Sequence, residues 1–328
     1  MAEIFCKDYY REYDVVIIGA GPSGLAAAME LKKAGIRNLT VLEREQQAGG
    51  IPRHCGHPPF GIIECRRILR GPAYARRLAQ SAAAAGVEIQ LGVSVTGLHP
   101  GGMLSVISAS GPLAIKARRV LLATGTRETP RSARLVSGGR PLGICTTGVL
   151  QSMFHLKQLV PFRQPVVVGT EIVAFSALLT CKKAGIRPVA MLESSPHPST
   201  PWPLSRAGRI FGVPLRLSTR IVGIRGKERV RAVRIVEGQG EQEEISCDGV
   251  LFTGLFIPES SLARQAGLRL DDTRGTPLTD RFGRCSDPVY YATGNLVHHP
   301  VKMAGGCWLA GRRTGRNIAR DLAGGLPV

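Results

Sequence analysis

The sequence predicts an α/β fold in which one strand–helix–strand unit occurs twice. The hexapeptide KKAGIR stands at 32–37 and again, 150 residues later, at 182–187. The same offset superposes residues 15–43 on residues 165–193. In each copy a β-branched run ends at a glycine, a helical stretch follows, and a second apolar run precedes a glutamate. A parallel sheet whose strands are joined by helices is therefore expected in each half of the chain.

The first copy has the residue pattern with which a parallel sheet binds a dinucleotide. Its strand, Val15 to Ile18, is short and apolar, as expected for a strand that is buried on both faces. Three glycines follow, at the spacing that permits a tight turn, close approach of a pyrophosphate and close helix packing. Pro22 opens a helix whose free N–H groups attract phosphate, and Glu43 is placed to accept hydrogen bonds from ribose hydroxyls. The predicted contacts are Gly19, Ala20, Gly21, Pro22, Ser23, Gly24, Glu43 and Arg44. The alternative is a strand–helix turn that binds no ligand.

The second copy lacks two of these glycines. It keeps Gly169 but has Glu171 beside the expected phosphate position and Ala174 where the helix packs on the strand. At an effective dielectric constant of about 20, two unit charges about 4 Å apart repel by about 4 kcal/mol. We therefore expect a nicotinamide-binding scaffold that has lost its dinucleotide, so that NAD(P) is an improbable ligand. The alternative is that NADPH binds in a shifted pose.

Composition excludes several classes of function. The 328 residues suggest two domains and carry a formal charge of +19. The arginines are not interleaved with aromatic residues as in an RNA-binding sheet, so we expect no nucleic-acid binding. The charge is explained either by docking to an acidic partner or by a high-GC genome that favours Arg over Lys. The eight cysteines include no CxxC, which argues against a thioredoxin-type pair, an iron–sulfur site and a zinc ribbon. No apolar run is long enough to span a membrane and the N-terminus has no apolar signal core, so a cytoplasmic protein is expected.

Two further motifs extend the pattern to the whole chain. VLLATG at 120–125 and VYYATGN at 289–295 each read as a strand that ends in small residues, and a helix is predicted from about 303 to 323. This order resembles the flavoproteins with two dinucleotide-binding domains, the glutathione and thioredoxin reductase group. The resemblance implies two Rossmann-like domains, with an FAD-binding domain over 1–130 and 281–328 and a degenerate NAD(P)-binding-like domain over 131–280.

The same resemblance implies further cofactor contacts. Gly49 and Gly50 would let the backbone pass under the flavin or ribityl chain, and Val95 would pair with adenine through its backbone. The pyrophosphate side would be lined by Ala123, Thr124 and Gly125. The ribityl chain would be bound by Gly294 and Asn295, and the helix start that faces the flavin would be Met303 and Ala304. Asn295 stands where the group usually has Asp, but it still offers an acceptor, so FAD is expected. The disulfide-reductase motifs CxxxxC and CxxC are absent, so disulfide reduction is not expected.

A narrower resemblance concerns residues 49–79 and 123–151. These segments are similar to the α-subunit family of hetero-oligomeric dye-linked amino-acid dehydrogenases, which includes D-hydroxyproline dehydrogenase, opine oxidase and hydrogen cyanide synthase. That resemblance implies an electron-transfer subunit, which passes electrons from a substrate-oxidising FAD subunit to a [2Fe–2S] carrier. Many members of that family carry a Cys-rich iron–sulfur domain after the last helix. This sequence has no Cys-rich segment between the last predicted helix and Val328, so the [2Fe–2S] centre is expected on a partner chain. The alternatives are a stand-alone NAD(P)H-dependent flavin reductase and a structural FAD or ATP carrier.

The segment after the glycine pair has no assigned role. Arg53, His54, Cys55 and His57 are expected near the isoalloxazine edge. HCGH crowds three candidate ligands into four residues, and no partner acid or Cys follows at helical spacing, so we expect no metal. Proton handling or flavin tuning by the histidines, or a loop that packs over the cofactor, are the remaining interpretations. His298 and His299 would cap the flavin or shape the turn before Pro300, and no catalytic base is predicted in this chain.

Overall fold

The chain divides into two units, each built around a sheet whose central strands are parallel. The computed structural model describes residues 10–200, 207–297 and 302–327. Unit 1 comprises Met1–Arg53, Pro58–Thr126 and Ile257–Val328, and unit 2 comprises His54–His57 and Arg127–Phe256. The chain therefore leaves unit 1 for a long middle segment and returns to it.

The strands and helices follow one another along the chain as the repeat predicts. The strands before the long middle segment are β1 (Tyr10–Ile18), β2 (Leu39–Glu43), β3 (Glu88–Leu91), β4 (Ser94–His99), β5 (Met103–Ser108), β6 (Gly111–Leu122) and β7 (Thr126–Glu128). Those of unit 2 are β8 (Ser137–Gly138), β9 (Ile144–Thr146), β10 (Pro165–Val168), β11 (Ala190–Leu192), β12 (Leu215–Arg216), β13 (Thr219–Arg225), β14 (Ala232–Glu237), β15 (Gln242–Ser246) and β16 (Gly249–Phe252). The last two are β17 (Phe256–Pro258) and β18 (Tyr290–Ala292). The helices are α1 (Pro22–Lys33), α2 (Ile62–Cys65), α3 (Gly71–Ala84), α4 (Thr147–Lys157), α5 (Ile172–Ala184), α6 (Ala207–Ile210), α7 (Ser261–Gln265) and α8 (Ala304–Leu322).

The sheet of unit 1 brings the ends of its central strands to one edge. Its order is β3-β2-β1-β6-β5-β4, and β18 pairs with the end of β6. Strands β1, β2, β6 and β18 run parallel, with Ile18 level with Leu42 and Leu122, and Leu122 level with Ala292. The turns that follow these strands therefore meet at the carboxyl edge, where open α/β sheets bind their ligands.

Both faces of β1 are covered, as the apolar run predicts. Val15 and Ile17 belong to one hydrophobic cluster, and Val16 and Ile18 belong to another on the opposite face. Alternate side chains of a strand point to opposite faces, so both layers of the unit meet at this strand. Full burial of such aliphatic side chains contributes about 1.5–3 kcal/mol each.

Helices α1 and α8 cross along a row of small residues. A Cβ atom at Gly311 would overlap the carbonyl oxygen of Ser23, and one at Gly315 would lie 2.8 Å from the carbonyl oxygen of Ala27. The two backbones therefore approach more closely than larger side chains allow. This contact joins the first helix of unit 1 to its last.

Unit 2 repeats the architecture on a smaller scale. Its parallel sheet has the order β12-β11-β10-β16-β9, and a second sheet has the order β15-β14-β13-β8. Val168 at the end of β10 is level with Leu192 and Phe252. Strand β10 and helix α5 occupy the places that β1 and α1 have in unit 1.

The unit boundary differs from the predicted domain boundary. The sequence predicts a middle domain over 131–280, whereas unit 2 ends at Phe256. Residues 257–280 pack with unit 1 because Ala263 and Leu268 join the cluster that contains Leu98 on β4. None of the described helices is long and apolar enough to cross a membrane.

Candidate cofactor site

Two of the three glycines in the first turn are required by protein packing. Gly19 has φ +106°, and a Cβ atom there would lie 2.6 Å from the carbonyl oxygen of Ala123. A Cβ atom at Gly24 would overlap the carbonyl oxygen of Gly19. These residues hold the turn against β6 and α1 against β1, as the sequence predicts.

The third glycine faces open space. A Cβ atom at Gly21 would have Gly50 Cα, 4.0 Å away, as its nearest neighbour. Gly21 has an extended backbone with φ −78°, so the fold itself permits a side chain at this position. A glycine whose missing side chain leaves a surface concavity fits the close approach of a bound pyrophosphate. This observation supports a nucleotide at the turn.

The start of α1 has the electrostatic character that an anion needs. Gly21 caps the helix without a side-chain hydrogen bond, and the first turn contains no acidic residue. The N–H groups of the first helical turn have no partners within the helix, and the helix dipole places positive charge at this end. Ser23, also predicted as a contact, is buried beneath this turn.

Glu43 ties the turn to the end of β2. One oxygen of its carboxylate accepts the N–H of Ala20 at 2.9 Å, and the other accepts the N–H of Glu45 at 3.0 Å. The residue is buried, so these backbone donors satisfy a carboxylate that burial would otherwise penalise. The sequence predicts ribose binding by Glu43, which stays a prediction. The structural role was not foreseen. Arg44, the next residue, is exposed.

Three other predicted segments close around the same turn. The N–H of Gly49 donates to the carbonyl of Ala20 at 2.8 Å, and a Cβ atom at Gly50 would lie 2.9 Å from Gly21 Cα. A Cβ atom at Gly294 would overlap the hydroxyl of Ser23. The structure thus brings together the glycine turn, the glycine pair, Ala123 and Gly294 at one edge of the sheet.

The remaining predicted contacts border this arrangement. The hydroxyl of Thr124 donates to the carbonyl of Glu259 at 2.8 Å, and the carbonyl of Gly125 accepts the N–H of the same residue at 2.9 Å. Asn295 is half-buried, and its carbonyl accepts the Lys302 ammonium at 3.3 Å. Three further predicted contacts occupy the N-cap of α8, its first residue and the second residue of β4: Met303, Ala304 and Val95. Their contacts with a cofactor stay predictions. His298 and His299 lie outside the described residues.

The second copy preserves the acid but changes its partners. Glu193 accepts hydrogen bonds from the Thr170 hydroxyl, the Ser195 N–H at 3.0 Å and the Ser199 hydroxyl at 3.0 Å. Burial alone would raise the pKa of Glu193, but these hydrogen bonds outweigh burial and hold the pKa below its usual value. Glu193 thus ties the second turn to the end of β11 as Glu43 does in unit 1.

The crevice of the second turn is filled by the chain's own carboxylate. Glu171 accepts the hydroxyl of Thr253 at 2.8 Å, and a Cβ atom at Gly254 would overlap the Glu171 carboxylate. The guanidinium of Arg134 donates to the carbonyls of Thr253 and Gly254, at 2.8 and 2.9 Å, and its charge acts on Glu171. Burial raises the pKa of Glu171, while the Thr253 hydroxyl and Arg134 oppose that rise. Sequence reasoning found Glu171 but missed Arg134, since its contacts join residues more than 100 positions apart.

The comparisons with known proteins decide the family. The family model described as pyridine nucleotide-disulphide oxidoreductase matches residues 13–311. The chain belongs to the pyridine nucleotide-disulphide oxidoreductase family. Membership makes the protein an oxidoreductase of a class that implies FAD, and the glycine cradle at Gly21 fits that cofactor. The predicted flavoprotein superfamily is thereby confirmed.

Solved structures share this fold. A thioredoxin reductase from T. acidophilum matches with a TM-score of 0.79 and 22% identity, over 95% of this chain and 99% of that one. An L-proline dehydrogenase from P. horikoshii matches with a TM-score of 0.74 and 21% identity, over 97% of this chain and 57% of that one. The predicted fold class, two Rossmann-like domains of the thioredoxin reductase type, is confirmed.

The curated relatives are longer than the segment that this chain matches. An opine oxidase subunit of Agrobacterium tumefaciens (strain Ach5) is 26% identical over 86% of this chain and 61% of its own length. The alpha subunit of sarcosine oxidase from Rhizobium meliloti (strain 1021) is 25% identical over 96% of this chain and 31% of its own length. The chain thus spans less than two thirds of these relatives.

Five of the seven described cysteines are buried, and Cys65 and Cys145 are half-buried. The seven described cysteines are free thiols. Burial raises the pKa of Cys55, Cys145 and Cys181 to about 12 in each case. A thiol with such a pKa is almost wholly protonated at neutral pH and is therefore a poor nucleophile.

The HCGH segment lies in unit 2. Its thiol, Cys55, donates to the side-chain carbonyl of Gln151 on α4 at 3.4 Å, and Gln151 donates to the Ser176 hydroxyl on α5 at 2.6 Å. Lys183 donates to the carbonyl of Gly56 at 2.6 Å. The sequence did not predict this association, and a place for the segment at an isoalloxazine edge stays a prediction. Arg53, which precedes it, remains with unit 1 at 3.5 Å from the Glu45 carboxylate.

Glu128 is a half-buried carboxyl of unit 2. It accepts the N–H of Gly148 at 2.7 Å and so caps the start of α4. Burial raises the pKa of Glu128 although several hydrogen bonds lower it. Within the described residues, no group of three or more His, Cys, Asp or Glu side chains is arranged to hold a metal ion.

Proposed function

We propose that this chain is the FAD-containing electron-transfer subunit of a hetero-oligomeric amino- or imino-acid dehydrogenase of the D-hydroxyproline dehydrogenase type. In this proposal a separate flavoprotein subunit oxidises the substrate at a CH–NH bond. The present chain receives the electrons and delivers them to a [2Fe–2S] protein. The substrate-oxidising base belongs to the partner.

The asymmetry between the two turns carries the proposal. The turn at Gly21 presents a concavity that no protein atom fills closely, whereas the turn at Glu171 is filled by a hydrogen-bonded carboxylate. A chain with one nucleotide turn open and the other blocked fits a flavoprotein that does not take hydride from NAD(P)H. Such a flavoprotein needs another electron donor.

The FAD would be held by the residues around the first turn. The N–H groups at the start of α1 would bind the pyrophosphate, and the glycine pair Gly49–Gly50 would let the backbone pass beneath the cofactor. The start of α8 after Met303 would aim its N–H groups at the flavin. The cofactor would supply the redox chemistry, and the chain would position it.

The relatives support a role within a larger enzyme. The opine oxidase and sarcosine oxidase matches are both named as subunits of their enzymes. The chain has neither disulfide-reductase motif, and burial raises the pKa of the Cys55, Cys145 and Cys181 thiols to about 12. The disulfide chemistry of the family name therefore has no support in this chain.

The competing function is a stand-alone NAD(P)H-dependent FAD oxidoreductase. The thioredoxin reductase of Treponema pallidum, 24% identical over 87% of this chain, favours it. The Glu171 carboxylate opposes it, because a pyrophosphate would have to displace the Thr253 hydrogen bond and approach a like charge.

Anaerobic absorbance titration of the purified flavoprotein separates the two functions. We expect NADH and NADPH at micromolar concentration to leave the band near 450 nm unchanged. We expect D-hydroxyproline or an opine to bleach it only when the substrate-oxidising subunit is present. Rapid bleaching by NAD(P)H alone supports the stand-alone function. Oxidation of the amino acid by this chain alone contradicts the proposed role in electron transfer.

A further inference from the structure

An exposed loop of unit 1 carries an unusual concentration of isoleucine. Residues 61–68, here called the isoleucine loop, include Ile62, Ile63 and Ile68, whose exposed fractions run from 47% to 71%. Large aliphatic side chains with half or more of their surface in water lose the free energy that burial would provide. Contiguous apolar surface of this kind marks an interaction site on a folded protein.

The loop is anchored at its base. Phe60 and Leu69 form an antiparallel bridge with hydrogen bonds of 2.9 and 2.8 Å, and both pack against the core of unit 1. The Phe60 ring lies 5.6 Å from the ring of the buried Tyr74. Arg66 at the end of α2 has φ +50°, a left-handed conformation that costs about 1–2 kcal/mol in a non-glycine residue. The bridge and the packing at its base therefore hold the loop, and with it the isoleucines, in a defined conformation.

The apolar surface continues onto the start of α8. A Cβ atom at Gly305 would lie 2.7 Å from Ile63 Cδ1, so the loop rests on the first turn of the helix. Leu309, one turn further along the same helix face, is 49% exposed, and Met303 at the N-cap is 57% exposed. The exposed residues of the loop and of the helix start are here together called the apolar patch: Ile62, Ile63, Ile68, Met303 and Leu309.

The rim of the patch is positively charged. Arg66, Arg67 and Arg70 are exposed, and none of them forms an ion pair among the described residues. The carboxylate of the loop, Glu64, accepts the Tyr74 hydroxyl at 2.5 Å and is held toward the core. A partner whose rim is acidic would complement this surface and the +19 charge of the chain.

We infer that the apolar patch is the docking surface for the substrate-oxidising flavoprotein subunit, whose matching surface is apolar with an acidic rim. This inference rests on the proposed function. An apolar centre suits a permanent contact between subunits, whereas transient electron carriers make small contacts. The patch adjoins the start of α8, where the flavin is proposed to lie, so docking there places donor and acceptor side by side.

A second copy of this chain fits the patch less well than an acidic partner. In a two-fold contact the same surface faces itself, so the arginines of the two rims would oppose one another. Like charges that face each other across a contact weaken association. The charge of the rim therefore selects a partner of opposite sign.

The test measures binding to the flavoprotein that co-purifies with the tagged wild-type chain and reduces dye with an amino or imino acid. Ile68→Asp and Arg67→Glu should each raise the Kd for that flavoprotein about tenfold or more. Ile107→Asp, at an exposed isoleucine on β5, and Arg220→Glu on β13 are the matched controls and should change it less than twofold. Flavin content and melting temperature report folding of every variant.

The outcomes separate the two proposals. A wild-type complex that survives both patch variants with unchanged affinity overturns the docking assignment and leaves the proposed function standing. A dimer of this chain that dissociates in Ile68→Asp assigns the patch to a second copy and also overturns it. The absence of any complex between the wild-type chain and a substrate-oxidising flavoprotein overturns the proposed function, and the docking assignment with it.

Discussion

The hydroxyl of Thr253 donates a hydrogen bond of 2.8 Å to the carboxylate of Glu171. In unit 1 the residues that follow the equivalent strand ends, Ala123 and Gly21, leave the corresponding space open. The position that is Gly21 in the first turn is Glu171 in the second. The space that could accept an anion in unit 1 is therefore occupied in unit 2 by a side-chain carboxylate. The difference between the two copies generates the first predictions.

Gly21 and Gly24 should respond differently to alanine. We expect Gly21→Ala to leave the melting temperature of the FAD-free protein unchanged, because a Cβ atom there meets no protein atom closer than 4.0 Å. The same variant should bind FAD at least tenfold more weakly. Gly24→Ala should instead destabilise the FAD-free protein by about 1–3 kcal/mol through overlap with Gly19. Calorimetry and flavin fluorescence measure the two effects, and equal melting shifts in both variants would refute the distinction.

Removal of the Glu171 carboxylate should create nicotinamide binding. Glu171→Gly takes away both the bulk and the charge at a backbone of φ −68°, where glycine is under no strain. We expect NADPH to bind this variant at least tenfold more tightly than the wild type, and Glu171→Gln to give an intermediate affinity because it removes only the charge. Quenching of NADPH fluorescence on titration measures the constants. Tight binding by the wild type would show that the carboxylate does not block the crevice.

Unit 2 should lose stability in acid through Glu193. Its pKa in the folded protein is below the ordinary value of 4.5, so the unfolded chain takes up the proton first. The stabilisation is complete above about pH 4.5 and is lost as the pH falls through the folded-state pKa. Thr170→Val removes one hydroxyl donor to the carboxylate and should cost about 1.5–3 kcal/mol at neutral pH while flattening the acid response.

Thr180→Val provides the control for that pH dependence. The Thr180 hydroxyl donates to the Ser176 carbonyl within α5 at 3.0 Å and has no carboxylate partner. This variant should lower stability without altering its slope between pH 5 and about pH 3.5. Hydrogen exchange of the backbone amides of α5 and β11 measures the stability of unit 2 in both variants. If the stability of Thr170→Val fell with pH as steeply as that of the wild type, Glu193 would not be the source of the acid sensitivity.

The contact between α1 and α8 should tolerate no side chain at Gly311. Gly311→Ala overlaps the Ser23 carbonyl and should destabilise unit 1 by about 1–3 kcal/mol. Gly306→Ala lies in the same helix with no atom within 4 Å of its Cβ, so it should be neutral or stabilise by up to about 1 kcal/mol. Thermal melting of the FAD-free variants compares them. Equal destabilisation by both would mean that helix propensity, and not packing, governs α8.

Local pattern was sufficient to predict the repeated unit and much of the first turn. The run Val15–Ile18, the spacing of Gly19 and Gly24 and the acid at Glu43 all depend on residues within 30 positions of one another. Their chemistry is set by neighbours along the chain, so sequence reasoning can reach it. The structure adds that Glu43 is satisfied by the backbone N–H groups of Ala20 and Glu45.

The same reasoning could not predict contacts between residues that are far apart in the sequence. Arg134 contacts Thr253 across 119 positions, and Cys55 contacts Gln151 across 96. The sequence placed the domain boundary at 280, whereas Ala263 packs in the core of unit 1. No local pattern encodes such associations, because they depend on which faces the completed sheets leave to be covered.

The row of small residues between α1 and α8 has a consequence for biosynthesis. The helix that follows the cofactor turn is covered by a helix that the ribosome makes some 280 residues later, so the N-terminal half of unit 1 leaves the exit tunnel without its cover. Unit 2, whose sheet and helices lie almost entirely within Arg127–Phe256, can close before that cover exists. The turn at Gly21 is then completed last, although it is translated first. We therefore expect the turn to bind FAD only after α8 has docked, and a chain released before that step would expose the apolar residues of α1.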